Sequence, residues 1–265
     1  MRSPSIRETR TRHARGGFTL LEVVVVLLIF AILVSGLALP LATQMRLRKQ
    51  EETRRQLDEA KETLLGFAAA HGRLPCPASD ASRGQESFAA GGDSTNGGCS
   101  NFHDGYLPAA SLGLAPLDSE GYLRDAWVSP RNRIRYAVFG SGLAVNGVVN
   151  PLTRVNGMQS ATLSGLGAAA HFLFICASGN GVTASGCGPA SNQLTRRAAF
   201  VLLSLGPDAI ATPAAASDAA RNLDGDAVFV FHEATNAPGN EFDDMLHWVP
   251  VHLVASRLIA AGRLP

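Results

Sequence analysis

The chain has 265 residues, with 23 Lys and Arg against 22 Asp and Glu and a formal net charge of +1. Its arginines are scattered and no basic run is interleaved with aromatics, so nucleic-acid binding is not expected. The length leaves room, beyond an apolar N-terminal segment, for one ordinary globular domain, and there are no internal repeats.

Residues 1–17 form a basic leader, with Arg2, Arg7, Arg10, Arg12 and Arg15 against Glu8. Such a leader is expected to stay cytoplasmic. Arg15-Gly16-Gly17 is followed by Phe18-Thr19-Leu20-Leu21-Glu22. No charge then appears until Arg46, which leaves 23 uncharged residues. As a helix these span about 35 Å, enough for a hydrocarbon core of about 30 Å. A transmembrane helix is therefore expected over 18–45, with one carboxylate at its mouth. A carboxylate near a bilayer centre costs roughly 2.5–3.5 kcal/mol, so Glu22 calls for a purpose. The rival reading is an ordinary secretory signal cut near Ala38 to Ala42, but its apolar region would span only about 7–15 residues. Gly36 and Pro40 predict a bend or local melting, because proline removes a backbone donor.

The helix is expected to continue over 46–70. Strong helix formers dominate there, and Leu57, Ala60, Leu64 and Phe67 make an apolar stripe. It stops near His71-Gly72, and Leu74-Pro75-Cys76-Pro77 forces an extended path. Residues 71–265 read as the globular domain. A polar, Gly-rich loop over 78–105 contains Gly92-Asp93-Ser94, which lacks the remainder of a hydrolase signature. Strands are expected at 133–139, 172–176, 199–205 and 227–231. A hairpin connection is expected at 178–196, a long loop at 207–225, and an amphipathic helix at 249–261 ended by Gly262. Trp127 and Trp248 read as core anchors. His71, His103, His171, His232, His247 and His252 show no pairing with a nucleophile.

The four cysteines fall as two local pairs, Cys76 with Cys99 and Cys176 with Cys187. Each pair flanks a Gly/Ser/Asn-rich loop, which favours disulfides in an oxidising compartment. Four reduced, buried thiols are the other reading, and spacing alone does not fix connectivity. No CxxC or zinc-spaced histidine is present.

The N-terminal segment resembles type IV prepilins and type II secretion pseudopilins, with every motif position present. The resemblance implies cleavage after Gly17 by a prepilin peptidase, N-methylation of Phe18, and pairing of Glu22 with the terminal amine of a neighbouring subunit. Asp125-Ala126-Trp127-Val128-Ser129-Pro130 with Ile134-Arg135-Tyr136 is similar to a segment of the major pseudopilin. In this chain Ala126 and Val128 stand where that family's segment has a proline and a glycine. Leu203-Ser204-Leu205-Gly206-Pro207-Asp208 and Asp243-Asp244 with Trp248 resemble two more of its segments. By that resemblance Asp208, Asp243 and Asp244 are candidate calcium ligands. No other cofactor is expected.

The implied fold is α+β and pilin-like. One long helix, half transmembrane and half amphipathic, packs on a small antiparallel sheet. The implied function is that of a minor pilin or pseudopilin, a filament subunit rather than an enzyme. Its partners would be other pilin subunits and an inner-membrane assembly platform. It would be held in the inner membrane by a single pass, with the C-terminal domain in the periplasm. Removing 17 residues leaves 248, large beside compact major subunits, hence a minor one. Two alternatives stand: an exported or membrane-anchored periplasmic enzyme using this N-terminus only as an anchor, and a competence pseudopilin in DNA uptake.

Overall fold

The computed structural model describes residues 17–127, 132–209, 213–215 and 217–265, with 34–41 and 208 described for backbone alone. The leader arginines and Val128, Ser129 and Pro130 lie outside the described residues. In chain order the elements begin with α1 (Leu20–His71), β1 (Gly105–Tyr106), α2 (Ala109–Leu112), β2 (Arg135–Val138), β3 (Ala144–Val145) and β4 (Val148–Val149). Next come α3 (Gly157–Ala161), α4 (Leu163–Ala168), β5 (Leu173–Cys176), β6 (Gln193–Ser204) and α5 (Asp218–Arg221). The chain closes with β7 (Val228–Val230), β8 (Thr235–Ala237), β9 (Asn240–Phe242), β10 (Met245–Pro250) and α6 (Val251–Ala260). Internal contacts divide the chain into two units, Met1–Arg48 and Lys49–Pro265.

In the first unit, the large apolar side chains from Val23 to Leu33 are all exposed. A helix apolar on every face has no single side to bury against a core. Among the described residues no helix is long and apolar enough to cross a membrane. The expected span at 18–45 includes 34–41, whose side chains lie outside the described residues. α1 is helical through Gly36 and Pro40, so the local melting expected there is not seen. Long flanking helix on both sides offsets the single lost donor, because helix propagation is cooperative.

In the second unit, α1 buries Thr53, Leu57, Ala60, Leu64, Leu65 and Ala68. The expected stripe is displaced at its end. Phe67 is half-buried and stacks on His71, with ring centroids 4.1 Å apart. Leu65 and Ala68 take the core position instead. These helix residues share one core with Tyr136, Phe172, Phe200 and Leu258.

The sheet runs β1-β2-β6-β5-β7, with β10 also paired to β6. β6 is its spine. Residues 198–204 are buried without alternation, the pattern of a strand covered on both faces. β2 and β10 pair antiparallel with the same stretch of β6, at Leu202 and Leu203 among others, and so lie on opposite edges of it. The sheet is not purely antiparallel as expected. β5 and β7 pair parallel, Ile175 opposite Phe229. A parallel pair needs a long crossover, here the segment that carries β6 and α5. The expected loop at 207–225 contains α5, and the expected C-terminal helix starts at Val251 because Val249 and Pro250 complete β10. Gly262, at φ +68°, ends α6 in the left-handed conformation that glycine tolerates.

Both cysteine pairs are bridged, Cys76 to Cys99 and Cys176 to Cys187. The first bridge sits beside a buried ion pair. Arg73 Nη1 and Nη2 donate to the two carboxylate oxygens of Glu86 at 2.6 and 2.7 Å, and the Cys76 amide donates to Glu86 Oε2 at 3.0 Å. The long loop between the cysteines is thus tied down by charge as well as by sulfur.

Candidate functional site

At the N-terminus, Gly17 and Phe18 precede α1 outside any helix or strand and are exposed, Phe18 by 81%. A Cβ built on Gly17 would meet nothing within 4 Å. Helix α1 starts at Leu20, which makes Thr19 its cap. The Glu22 amide donates to Thr19 Oγ1 at 3.2 Å, and the Val23 amide to the Thr19 carbonyl at 3.2 Å. Thr19-Leu20-Leu21-Glu22 therefore has the spacing of a capping box, with Glu22 at the third helical position. A carboxylate there faces the positive end of the helix dipole. Thr19 was not singled out in the sequence, although Thr-x-x-Glu before an apolar run is a readable helix-start signal.

In the second unit, the chain brings together two segments that lie far apart in sequence. Asp125 is 2% exposed. Its Oδ2 accepts from Ser204 Oγ at 2.5 Å and from Asn132 Nδ2 at 3.1 Å, and its Oδ1 accepts from the Trp127 amide at 2.9 Å. Asn132 Nδ2 also donates to the Gly206 carbonyl at 2.6 Å. The Ala126 amide donates to Thr53 Oγ1 on α1 at 3.3 Å. Burial pushes the Asp125 carboxyl above the usual carboxylate range, against the pull of Ser204, Asn132 and the Trp127 amide. So Asp125-Ala126-Trp127 and Ser204-Leu205-Gly206 form one buried polar knot. Trp127 is half-buried at its rim, with Lys49 Nζ 5.2 Å from the ring centre. Trp248 is also half-buried and meets Phe231 edge-on at 5.1 Å. Trp248 packs against the main core, as expected of an anchor, whereas Trp127 is not among the residues of that core.

Asp244 is buried, and its Oδ2 accepts from Asn222 Nδ2 at 2.7 Å. Asn222 in turn clasps both backbone groups of Val230. Asp244 thereby ties the end of α5 to the start of β10. Asp243 lies against Gly206, where an added Cβ would come 2.6 Å from the Asp243 carbonyl oxygen. The Asp208 side chain lies outside the described residues. Among the described residues no group of three or more His, Cys, Asp or Glu could hold a metal ion. Asp93 accepts from the Thr95 hydroxyl and from the amides of Thr95 and Asn96. Its Gly-Asp-Ser setting is a closed turn, not a strand-to-helix elbow.

The prokaryotic N-terminal methylation motif matches residues 12–38. No curated protein and no solved structure matches the chain. The motif implies processing by prepilin peptidase, membrane-anchored export and assembly with other pilins, and it favours a structural protein over an enzyme. The junction at Gly17–Phe18 and Glu22 fall inside the matched stretch, and this N-terminal motif is the feature that supports the type IV prepilin and pseudopilin class for the chain.

Proposed function

We propose that this chain is a minor pilin or pseudopilin, a structural subunit of a type IV pilus-like or type II secretion pseudopilus filament. The observation that carries the reading is the methylation motif over 12–38, with Glu22 in the first turn of α1. Peptidase cleavage after Gly17 would free the Phe18 amine. The fold places no steric demand for glycine at 17, since a side chain there would meet nothing within 4 Å. A demand from a processing enzyme fits that freedom.

In this reading residues 18–45 hold the subunit in the inner membrane until assembly, and the rest of the chain is periplasmic. A lone carboxylate in hydrocarbon is costly, and a neighbouring subunit's amine would neutralise it. Such a pair sets register more than it adds stability.

The test is intact mass and N-terminal sequencing of the membrane-fraction protein, with and without a prepilin peptidase. A chain starting at methylated Phe18 only when the peptidase is present supports the proposal. A start near Thr43, or an uncleaved Met1, overturns it.

A further inference from the structure

The turn in which α1 leaves its uncharged stretch, Met45-Arg46-Leu47-Arg48, has a composition that anchoring alone does not call for. α1 is one continuous helix from Leu20 to His71. At 1.5 Å per residue, Arg46 comes about 36 Å along it from Glu22. The hydrocarbon core of a bilayer is about 30 Å thick, and about 40–45 Å with its headgroup layers. A helix with Glu22 at one face of that core therefore carries Arg46 and Arg48 into the opposite headgroup layer. Arginines on the translocated side run against the bias that keeps basic residues cytoplasmic, so these two call for a use there.

Their setting narrows that use. Arg46 and Arg48 are both exposed. So are Met45 and Leu47, by 55% and 54%. Side chains two residues apart on a helix lie about 200° apart around its axis and only about 3 Å apart along it. The arginines thus leave opposite sides of the helix at one depth, and the two apolar side chains leave between them. No single face of a neighbouring protein takes up both guanidinium groups, because positions i and i+2 do not share a face. A layer that surrounds the helix can. Among the described residues the nearby carboxylates of α1 are committed elsewhere, Glu52 to Arg55 and Asp58 to Lys61, and neither arginine takes part in an ion pair. Lys49, next in the chain, has another contact, with its Nζ 5.2 Å from the centre of the Trp127 ring.

We propose that Arg46 and Arg48 bind the phosphates of anionic phospholipid headgroups, and that residues 45–48 form a collar that fixes the depth of the helix before assembly. The inference rests on the reading of 18–45 as a membrane anchor. A guanidinium presents paired N–H donors that match two phosphate oxygens, and its charge favours a lipid of net negative charge over a zwitterionic one. Met45 and Leu47 enter the acyl boundary at the same level, while the long arginine side chains reach outward to the phosphates.

The experiment uses the full chain in vesicles of phosphatidylcholine and phosphatidylglycerol, three parts to one, with a trace of either lipid carrying a photoreactive headgroup. Labelled peptides are mapped, so that label at 45–48 is counted apart from label on the leader's arginines. Label at 45–48 should favour the phosphatidylglycerol probe by at least about fivefold, the factor that one basic side chain contributes at an anionic surface. Arg46→Gln with Arg48→Gln should bring the two probes level, while Arg46→Lys with Arg48→Lys should keep a preference. Both pairs retain good helix formers. Salt at about 1 M, where the screening length is about 3 Å, should weaken the preference of the wild type. A benzophenone side chain in place of Leu47 should crosslink to lipid. Equal labelling of the wild type by the two probes overturns the collar. So does a preference that the glutamine pair leaves unchanged, or a benzophenone crosslink to a second protein chain in place of lipid. Alkaline carbonate separates two failures. A chain that it extracts from the vesicles overturns the anchor and the collar together, whereas a chain that stays in and shows no preference overturns the collar alone.

Discussion

The two units of this chain solve opposite problems. The second closes on itself. Its core takes in one face of α1, both faces of β6 and the inner face of α6, with disulfides on two of its loops. The first leaves Phe18, Leu20 and the large apolar side chains from Val23 to Leu33 exposed among the described residues. A chain that buries one half and exposes the other has put its unsatisfied apolar surface where a membrane or a second subunit can take it up. The family motif lies wholly within the first unit. The lesson is a separation of tasks, with processing and assembly in one unit and stability in the other.

The largest test of that separation is all-or-none. Gly17→Val should abolish peptidase cleavage, read as an intact mass that retains the leader. The unfolding midpoint of the second unit should not move, because a Cβ added at 17 would meet nothing within 4 Å. A shifted midpoint would break the comparison. Next in size are the disulfides. Cys76→Ser with Cys99→Ser opens a loop with sequence separation 23 and should cost about 3 kcal/mol, measured by urea unfolding of the full chain in detergent. Cleavage at Gly17 should be unaffected.

Ser204→Ala comes third. It removes one of the donors that hold the buried Asp125 carboxyl, and should cost about 1–3 kcal/mol by the same measurement. The pH dependence sharpens the assignment. Asp125 has its folded carboxyl raised by burial, so its contribution to stability is complete at low pH and is lost as pH rises through the raised value. Ser204→Ala takes away a donor that favours the ionised form, and the loss should extend to higher pH. A pH profile identical to the wild type would mean that the hydroxyl does not hold Asp125.

How much of this was readable beforehand follows from range. The Gly17–Phe18 junction and Glu22 are a local pattern, and so are the core of β6 at 199–205 and the helix ending at Gly262. The polar start of β6 was missed because Gln193 to Arg197 carry none of the apolar signal of a buried strand. The β3–β4 hairpin was legible and was overlooked. Asn146-Gly147 between two valines is a two-residue turn signal, and both residues have positive φ, 49° and 78°. The parallel β5–β7 pair and the Asp125–Ser204 contact have no local signature. They depend on which edge of the sheet remains open after β6 is placed. Asn132 and Thr53 joined the polar knot unannounced for the same reason.

The smallest expected effect separates charge from packing within the closed unit. Asp226 sits at the entry to β7, where its Oδ1 accepts from the Val228 amide at 2.7 Å. Its own amide donates to Asp224 Oδ1 at 3.1 Å. Burial, reinforced by the neighbouring Asp224 charge and opposed by the Val228 amide, pushes the Asp226 carboxyl up to about 6. An unfolded Asp titrates near about 3.9. The folded state therefore holds the proton more tightly. The stability this lends is complete below about 4 and is gone once pH has passed about 6. Asp226→Asn keeps an oxygen for the Val228 amide and removes the charge. At pH 4 it should change little. At pH 7.5 it should stabilise the unit by about 1 kcal/mol, an amount discounted because the group is half-exposed and solvent screens it. Urea unfolding at the two pH values reads the difference. An equal effect at both would assign the change to packing and leave the paired carboxylates without the repulsion that their geometry requires.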